Sequence, residues 1–396
     1  MTTKPACSKT KWNGREAYTL SNDKVQMVTL PGGGHIAEFQ FLAGTGMPAV
    51  NPLWVPPWKS IEPTEYRAQK HAKTYGTSNE GKLLSGIAGH NICLDYFGPP
   101  SDEEAAQGLS THGEAPSSSW KKSKLVSTAN EVGLTLDVAL PVAGLNFSRR
   151  IQLRRGESVA YFTETVTNQK KADHFFHWTQ HVTLGPPFLT SDTTRISISA
   201  TKGKTGAGAY GDADLLAPSR NFHWPFAPSR TGGSVDLSRA LSTPGLGTLA
   251  SVLLNPRRKV QYVAALNQTD RLLIGYCFQR VDFPWCAIWE ENKSRASAPW
   301  NGRAQTRGLE FSSTPSPTTR REAFAVSPLF DTPTFSIVPA KGRKTVSYVC
   351  FLAQVPEDFG LVRDIQTTKN EILIQGTGRR SSIHLPAAGL AGNGWE

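Results

Sequence analysis

The chain has 396 residues, of which 38% are hydrophobic and 9% aromatic. Its 35 Gly and 27 Pro are dispersed as turn punctuation, so the composition fits a folded chain with a sizeable core and excludes a low-complexity one. The formal net charge is +11, but the Lys and Arg residues fall in scattered doublets such as Lys121-Lys122, Arg149-Arg150 and Arg320-Arg321 with no aromatic-interleaved basic stripe. This argues against a nucleic-acid partner, which comes last among the alternatives and on charge alone, and reads as solvated strand ends; an anionic sugar stays open as a partner.

No apolar run is long enough to cross a bilayer, and Met1–Thr10 is polar, without a signal-peptide core; no membrane association and a cytoplasmic location are expected. Five cysteines (Cys7, Cys93, Cys277, Cys286, Cys350) with no C-x-x-C pair argue against a disulfide framework or a cysteine-based zinc site.

In chain order, strand signals dominate. Lys24–Leu30, the turn Pro31-Gly32-Gly33-Gly34 and His35–Leu42 read as a hairpin. Residues 47–80, rich in Pro and Trp, lose their period and read as a long ordered loop with a short helix over 66–73; residues 98–119 read as a second such loop. From Lys122 to Gln169 the pattern is a meander of four strands, at Leu125–Thr128, Gly133–Leu140, Leu145–Leu153 and Ser158–Thr167. Leu134, Leu136, Val138 and Leu140 alternate cleanly, whereas Glu164 interrupts the face of Ala160, Phe162 and Val166, as a carboxylate at a sheet edge or a paired one would. Phe175–Leu184 reads as one further strand and residues 200–247 as an elaborated loop region. Strands resume at Leu249–Leu254, Val260–Asn267, Leu272–Gln279, Trp285–Glu290, Arg307–Phe311, Thr334–Val338 and Lys344–Leu352. Pro356-Glu357-Asp358 is a helix start that Phe359–Thr367 can continue. Glu371–Gln375 and Ser382–Leu385 read as final strands. With no repeat and no linker, the expected fold is all-β: an N-terminal segment over 1–15, one large antiparallel β-sandwich over 16–386, and a loose tail over 387–396.

Common catalytic signatures (the dinucleotide-binding glycine motif, the phosphate loop, the helical zinc motif and the nucleophile elbow) are missing. Unusual residues concentrate in three segments: Thr111-His112-Gly113-Glu114-Ala115-Pro116 with Trp120; His177-Trp178-Thr179-Gln180-His181-Val182-Thr183-Leu184; and Trp289-Glu290-Glu291-Asn292 through Trp300 and Arg303 to Arg307-Gly308-Leu309-Glu310-Phe311. In order and separation these resemble the galactose mutarotase-like, or aldose 1-epimerase, superfamily. Residues 112–120 are similar to its His-Gly-x-Ala-Arg motif, His181–Leu184 to its second histidine strand, Glu310 to its late-strand glutamate, and Gly33-Gly34-His35-Ile36 to its glycine hairpin. The motif Arg is Pro116 here, the second motif lacks its aromatic pair and its Asn, and the position of the substrate-binding Asp is not legible.

The resemblance implies a β-supersandwich and mutarotation, the exchange of sugar anomers by ring opening and closure, with no cofactor or metal. A carboxylate base and an imidazole acid suit that chemistry. The implied roles are Glu310 as general base, His181 as general acid and His112 on the ring oxygen or a neighbouring hydroxyl. Arg303 and Arg307 are candidate donors to hydroxyls or to an acidic substituent, Trp289 and Trp300 candidate stacking platforms, and Glu114, His177 and His90 further candidate site members. Each has a plainer alternative: His112 as a turn cap, His177 and His181 on a strand face, Glu310 facing solvent, Arg303 and Arg307 paired with Glu290 or Glu291, and Trp289 in the core. A non-catalytic carbohydrate-binding protein and a sugar lyase or hydrolase on the same scaffold remain as competing functions. The oligomeric state is not legible.

Overall fold

Alternation in the central meander sets the inner wall of one sheet. Along Leu145–Arg154 every second side chain (Leu145, Phe147, Arg149, Ile151, Leu153) is buried, and along Val159–Asn168 the buried row includes Ala160, Phe162, Glu164 and Val166. The computed structural model describes residues 4–76, 79–379, 381–391 and 395. Among these, eight strands form one antiparallel sheet and thirteen form a second. Their facing apolar side chains merge into one large core, with Phe39, Ile92, Val182, Leu309 and Phe311 from the larger sheet against Phe147, Ile151, Phe162, Tyr348 and Phe351 from the smaller. The expected all-β sandwich is the observed architecture.

The middle of the larger sheet runs His90–Cys93, Thr179–Leu184, Gln305–Ser312, Trp285–Asn292, Leu246–Leu254, all antiparallel to their neighbours. These strands are buried on both faces. Their outer face is roofed by residues from the 47–119 region, including helix Asn79–Gly86, and by loops near 209 and 295.

Several elements differ from the sequence reading. The span expected as one strand, Phe175–Leu184, is two, because His174–Phe176 pairs separately with Ser336–Val338. Residues 356–367 do not form a helix. Gly360 takes a left-handed φ of +76°, and Val362–Thr367 pairs with Glu371–Gly376 as a strand. Tertiary pairing thus overrides the local helix-start signal. The 200–247 region contains four short strands, at Ala200–Thr205, Asn221–His223, Phe226–Pro228 and Ser234–Asp236. Strands Ala6–Trp12, Arg15–Ser21, His90–Cys93 and Thr194–Ile198 add to those expected. The 47–80 region holds helix Ala68–Tyr75 and, at its end, the start of Asn79–Gly86. Two shorter helices, Asp102–Ala106 and Arg320–Ala325, each open on a capping box, Ser101 with Glu104 and Thr319 with Glu322. Within the tail, Ala387, Leu390 and Trp395 are buried in the main core; residues 392–394 and 396 lie outside the described residues.

Glu164, the residue that broke the alternation, is fully buried and paired. It accepts from Arg149 Nε (2.7 Å), Gln180 Nε2 (2.6 Å), Trp178 Nε1 (3.1 Å) and Tyr348 Oη (2.8 Å). Arg149 also donates to the Gly34 carbonyl (2.7 Å). A buried carboxylate with four donors is satisfied; one whose cation is removed is not. Arg149→Met is therefore expected to cost about 3–5 kcal/mol in urea unfolding. Arg239→Met, which breaks a largely exposed pair with Asp236, is expected to cost under about 1 kcal/mol. Similar losses for the two variants would show that the buried network carries no special weight.

Candidate active site

Two cross-strand rows on the outer face of the larger sheet form the floor of a cavity of about 280 Å³. In one row Asn91, His181, Glu310 and Ala287 stand side by side on successive strands; in the next stand Thr183, Gly308, Trp289 and Leu249. Register alone places His181 opposite Glu310, and their side chains meet, with Nε2 2.9 Å from Oε1. The contact is close but not aligned as a hydrogen bond: neither carboxylate oxygen of Glu310 has a hydrogen-bond partner among the described residues. On its other side His181 Nδ1 lies 3.0 Å from Thr183 Oγ1, which fixes the ring plane.

His112 reaches the same cavity from the roof, its ring centroid 5.2 Å from that of His181. It sits in the left-handed region at φ +67°, a conformation costing a non-glycine residue about 1 kcal/mol or more. Around it the chain folds back closely: His112 N donates to Gly98 O (2.9 Å), Leu94 N donates to His112 O (3.1 Å), and a Cβ on Gly113 would lie 2.1 Å from the Leu94 carbonyl oxygen. Nδ1 of His112 accepts from the Gly98 N–H (3.1 Å), which leaves the proton on Nε2. Burial first, then the charges of His181 and Arg295, hold this imidazole well below the ordinary histidine range, so it is neutral at pH 7.

The walls are mostly apolar: Leu83 and Leu84 from one helix and Ile87 just past its end, with Phe97, Trp289 and Trp300. Trp300 stacks on Trp54 at 5.9 Å and carries the Arg295 guanidinium over its ring at 4.8 Å, so it serves as a wall more than as a free platform. Arg295, which the sequence reading passed over in favour of Arg303 and Arg307, is the cation lining the cavity among the described residues. Its charge is countered by Glu80 and Glu291, each 3.5 Å away. Tyr210 and Thr111 also line the space. Only the crowding of Trp and Glu around residue 295 marked that segment in the sequence; nothing marked Tyr210.

Of the expected site residues, the structure brings together Glu310, His181, His112, Trp289 and Trp300. The others lie outside the cavity, each for a visible reason. Arg307 projects from the opposite face of its strand from Glu310, pairs with Glu290 (2.6 Å) and donates to the carbonyls of Arg239 and Leu237. Arg303 is exposed in a turn. Glu114 accepts from the backbone N–H groups of Val142 (3.3 Å) and Ala143 (2.7 Å), tying the roof to a turn. His177 precedes the strand it was read into and accepts from Phe97 N (3.1 Å) through Nδ1; burial first pushes it down to about 4. His90 faces the sandwich interior, 3.0 Å from Gln180 Oε1. The glycine hairpin is structural as well: Gly33 N donates to Ser118 O (2.7 Å), and His35 Nε2 meets Pro116 O at 3.0 Å, so the position of the motif Arg is spent on packing. Among the described residues no group of three or more His, Cys, Asp and Glu side chains is arranged to hold a metal.

Two outcomes follow. Burial first, then Arg15, push His35 down to about 3. With a folded value below the unfolded one of about 6.5, its stability contribution is complete above pH 6.5 and fades as pH falls towards 3. Urea midpoints between pH 7.5 and 4.5 should therefore decline less steeply in His35→Gln than in wild type; parallel slopes would count against this. A Cβ on Gly308 would lie 2.2 Å from Trp289 Nε1, so Gly308→Ala should cost about 1–3 kcal/mol and shift tryptophan fluorescence. An unchanged spectrum would show that the ring accommodates it.

No protein-family model matches the chain, and no curated protein matches it in sequence. Solved structures do match in shape. A provisionally assigned aldose 1-epimerase from Klebsiella pneumoniae aligns at a TM-score of 0.63 with 12% identity, over 87% of this chain and 80% of its own. A galactose mutarotase-like protein from Clostridium acetobutylicum aligns at 0.60 with 12% identity, over 89% and 99%. A provisionally assigned aldose 1-epimerase from Escherichia coli K12 aligns at 0.55 with 14% identity, over 86% and 99%. At such identities the likeness speaks for architecture: the chain has the galactose mutarotase-like fold.

Proposed function

We propose that the chain is a carbohydrate-binding isomerase that exchanges sugar anomers, in the manner of an aldose 1-epimerase. The observation that carries this reading is the meeting of His181 and Glu310 at 2.9 Å on the floor of a cavity roofed by His112. Glu310 takes the proton of the anomeric hydroxyl; that electron pair forms the C1 carbonyl as the bond from C1 to the ring oxygen breaks; His181 delivers a proton to the ring oxygen. Rotation about C1–C2 and the reverse steps give the other anomer. His112, with its proton on Nε2, donates to the ring oxygen or an adjacent hydroxyl without competing as a base. The Trp289 ring, which lines the cavity, packs beside the C–H groups of the sugar.

The cavity is at the small end of ligand sites, a size suited to a single sugar ring. Its charge favours a neutral sugar over the anionic one that the net charge suggested. The Arg295 guanidinium already faces two carboxylates, and Glu310 adds a third negative group. A phosphate or carboxylate substituent would meet like charge there.

NMR anomer exchange on a panel of aldoses tests the reading. Wild type should accelerate exchange for a neutral hexose or pentose, and Glu310→Gln and His181→Gln should each lower kcat by about a hundredfold or more. Wild-type rates in both variants would end the isomerase assignment, and sugar binding without exchange would leave a non-catalytic carbohydrate-binding protein.

A further inference from the structure

Trp289 and Gly308 stand opposite each other on paired strands, and Glu310 follows on the same face as Gly308. A Cβ built on Gly308 would lie 2.2 Å from Trp289 Nε1 and 2.5 Å from Glu310 Oε1. Two polar atoms thus crowd one point above a residue that has no side chain to occupy it. Both are buried, and neither has a hydrogen-bond partner among the described residues.

An indole N–H only donates, and an ionised carboxylate only accepts. The two are complementary, yet they are not joined. A buried polar group left unpaired costs about 1–3 kcal/mol, so the arrangement calls for a partner that serves both. A hydroxyl does so, accepting from the N–H and donating to the carboxylate.

We propose that one sugar hydroxyl bridges Trp289 Nε1 and Glu310 Oε1 above Gly308, and, resting on the isomerase reading above, that this is the anomeric hydroxyl. Oε1 is also the oxygen in contact with His181 Nε2, so a hydroxyl bound there brings C1, and with it the ring oxygen, towards the acid. When the O1 proton passes to Glu310, negative charge grows on O1 until the C1–ring-oxygen bond breaks and the pair settles as the carbonyl. The N–H of Trp289 stays on O1 throughout and stabilises that charge. Trp289 is thereby a catalytic residue and not only an apolar wall, and Gly308 is the opening that lets its N–H reach the reacting oxygen.

Trp289→Phe keeps a ring and deletes the N–H. For D-glucose or D-galactose, whichever exchanges faster, kcat should fall about a hundredfold and KM should rise by up to about tenfold, since the N–H holds O1 in the bound sugar as well as in the transition state. Binding by calorimetry separates this inference from the isomerase reading. Wild type should bind the parent sugar about tenfold more tightly than its 1,5-anhydro analogue, which lacks the anomeric oxygen, and Trp289→Phe should lose that preference. In wild-type protein, an indole N–H proton resonance should move downfield with the parent sugar and not with the analogue, a readout that needs no variant to fold. A preference retained in Trp289→Phe, or an indole proton that does not move, overturns the inference whether or not exchange occurs. Sugar binding with no anomer exchange in wild type ends the isomerase reading while these two measurements still decide the role of Trp289. A wild-type protein that binds none of these sugars overturns both.

Discussion

The register between strands Thr179–Leu184 and Gln305–Ser312 is the constraint on which the site depends. It sets His181 directly across from Glu310, and a slip of one residue would turn His181 into the sandwich and Gln180 out of it. That slip is opposed from behind. Gln180 projects inward to Glu164 (2.6 Å) and lies 3.0 Å from His90 Nε2, while Arg149 and Tyr348 complete the same buried network. Moving the strand would strip a buried carboxylate of a donor and bury an imidazole in its place. Gln180 in the buried network and His181 in the cavity are two faces of one strand.

Much of this architecture was legible because period-2 alternation is a local signal. Val260–Asn267 and Leu272–Gln279 were found with the observed limits, and the last three strands of the meander nearly so, whereas its first strand, Lys121–Ser127, begins four residues before the expected start. The failures fall where long-range pairing decides. The strand Val362–Thr367 carries a helix-start sequence before it, and His90–Cys93 is four residues buried on every side with no alternation to show. In the site, the histidines and Glu310 could be picked out because each lies in a motif of unusual residues. Arg307 and Arg295 could not be told apart by spacing: one is turned by strand parity towards Glu290, while the other is swung over Trp300 from a loop. Nor could sequence tell that His177 lies outside the strand of His181, since the break between them comes from pairing with Ser336–Val338.

His181 and Glu310 meet inside a cavity whose walls are largely apolar. Low polarity strengthens whatever polar contacts a bound sugar makes and penalises every hydroxyl left without one. Under the proposed function, the few polar groups present, from His112, His181, Glu310 and Trp289 to Tyr210 and Arg295, would determine more of the selectivity than their number suggests.

The floor of the cavity comes from adjacent strands of one sheet, whereas its roof is assembled from helix Asn79–Gly86, the turn at His112, the loop near Tyr210 and the loop of Arg295. Loops accept insertion and substitution far more readily than paired strands. If the proposed function holds, descendants of such a molecule can exchange the roof piece by piece, and with it the preferred substituents on the ring, while the pair His181 and Glu310 below keeps its spacing. Reaction and selectivity are then inherited separately, and a shared shape can outlast nearly all shared sequence.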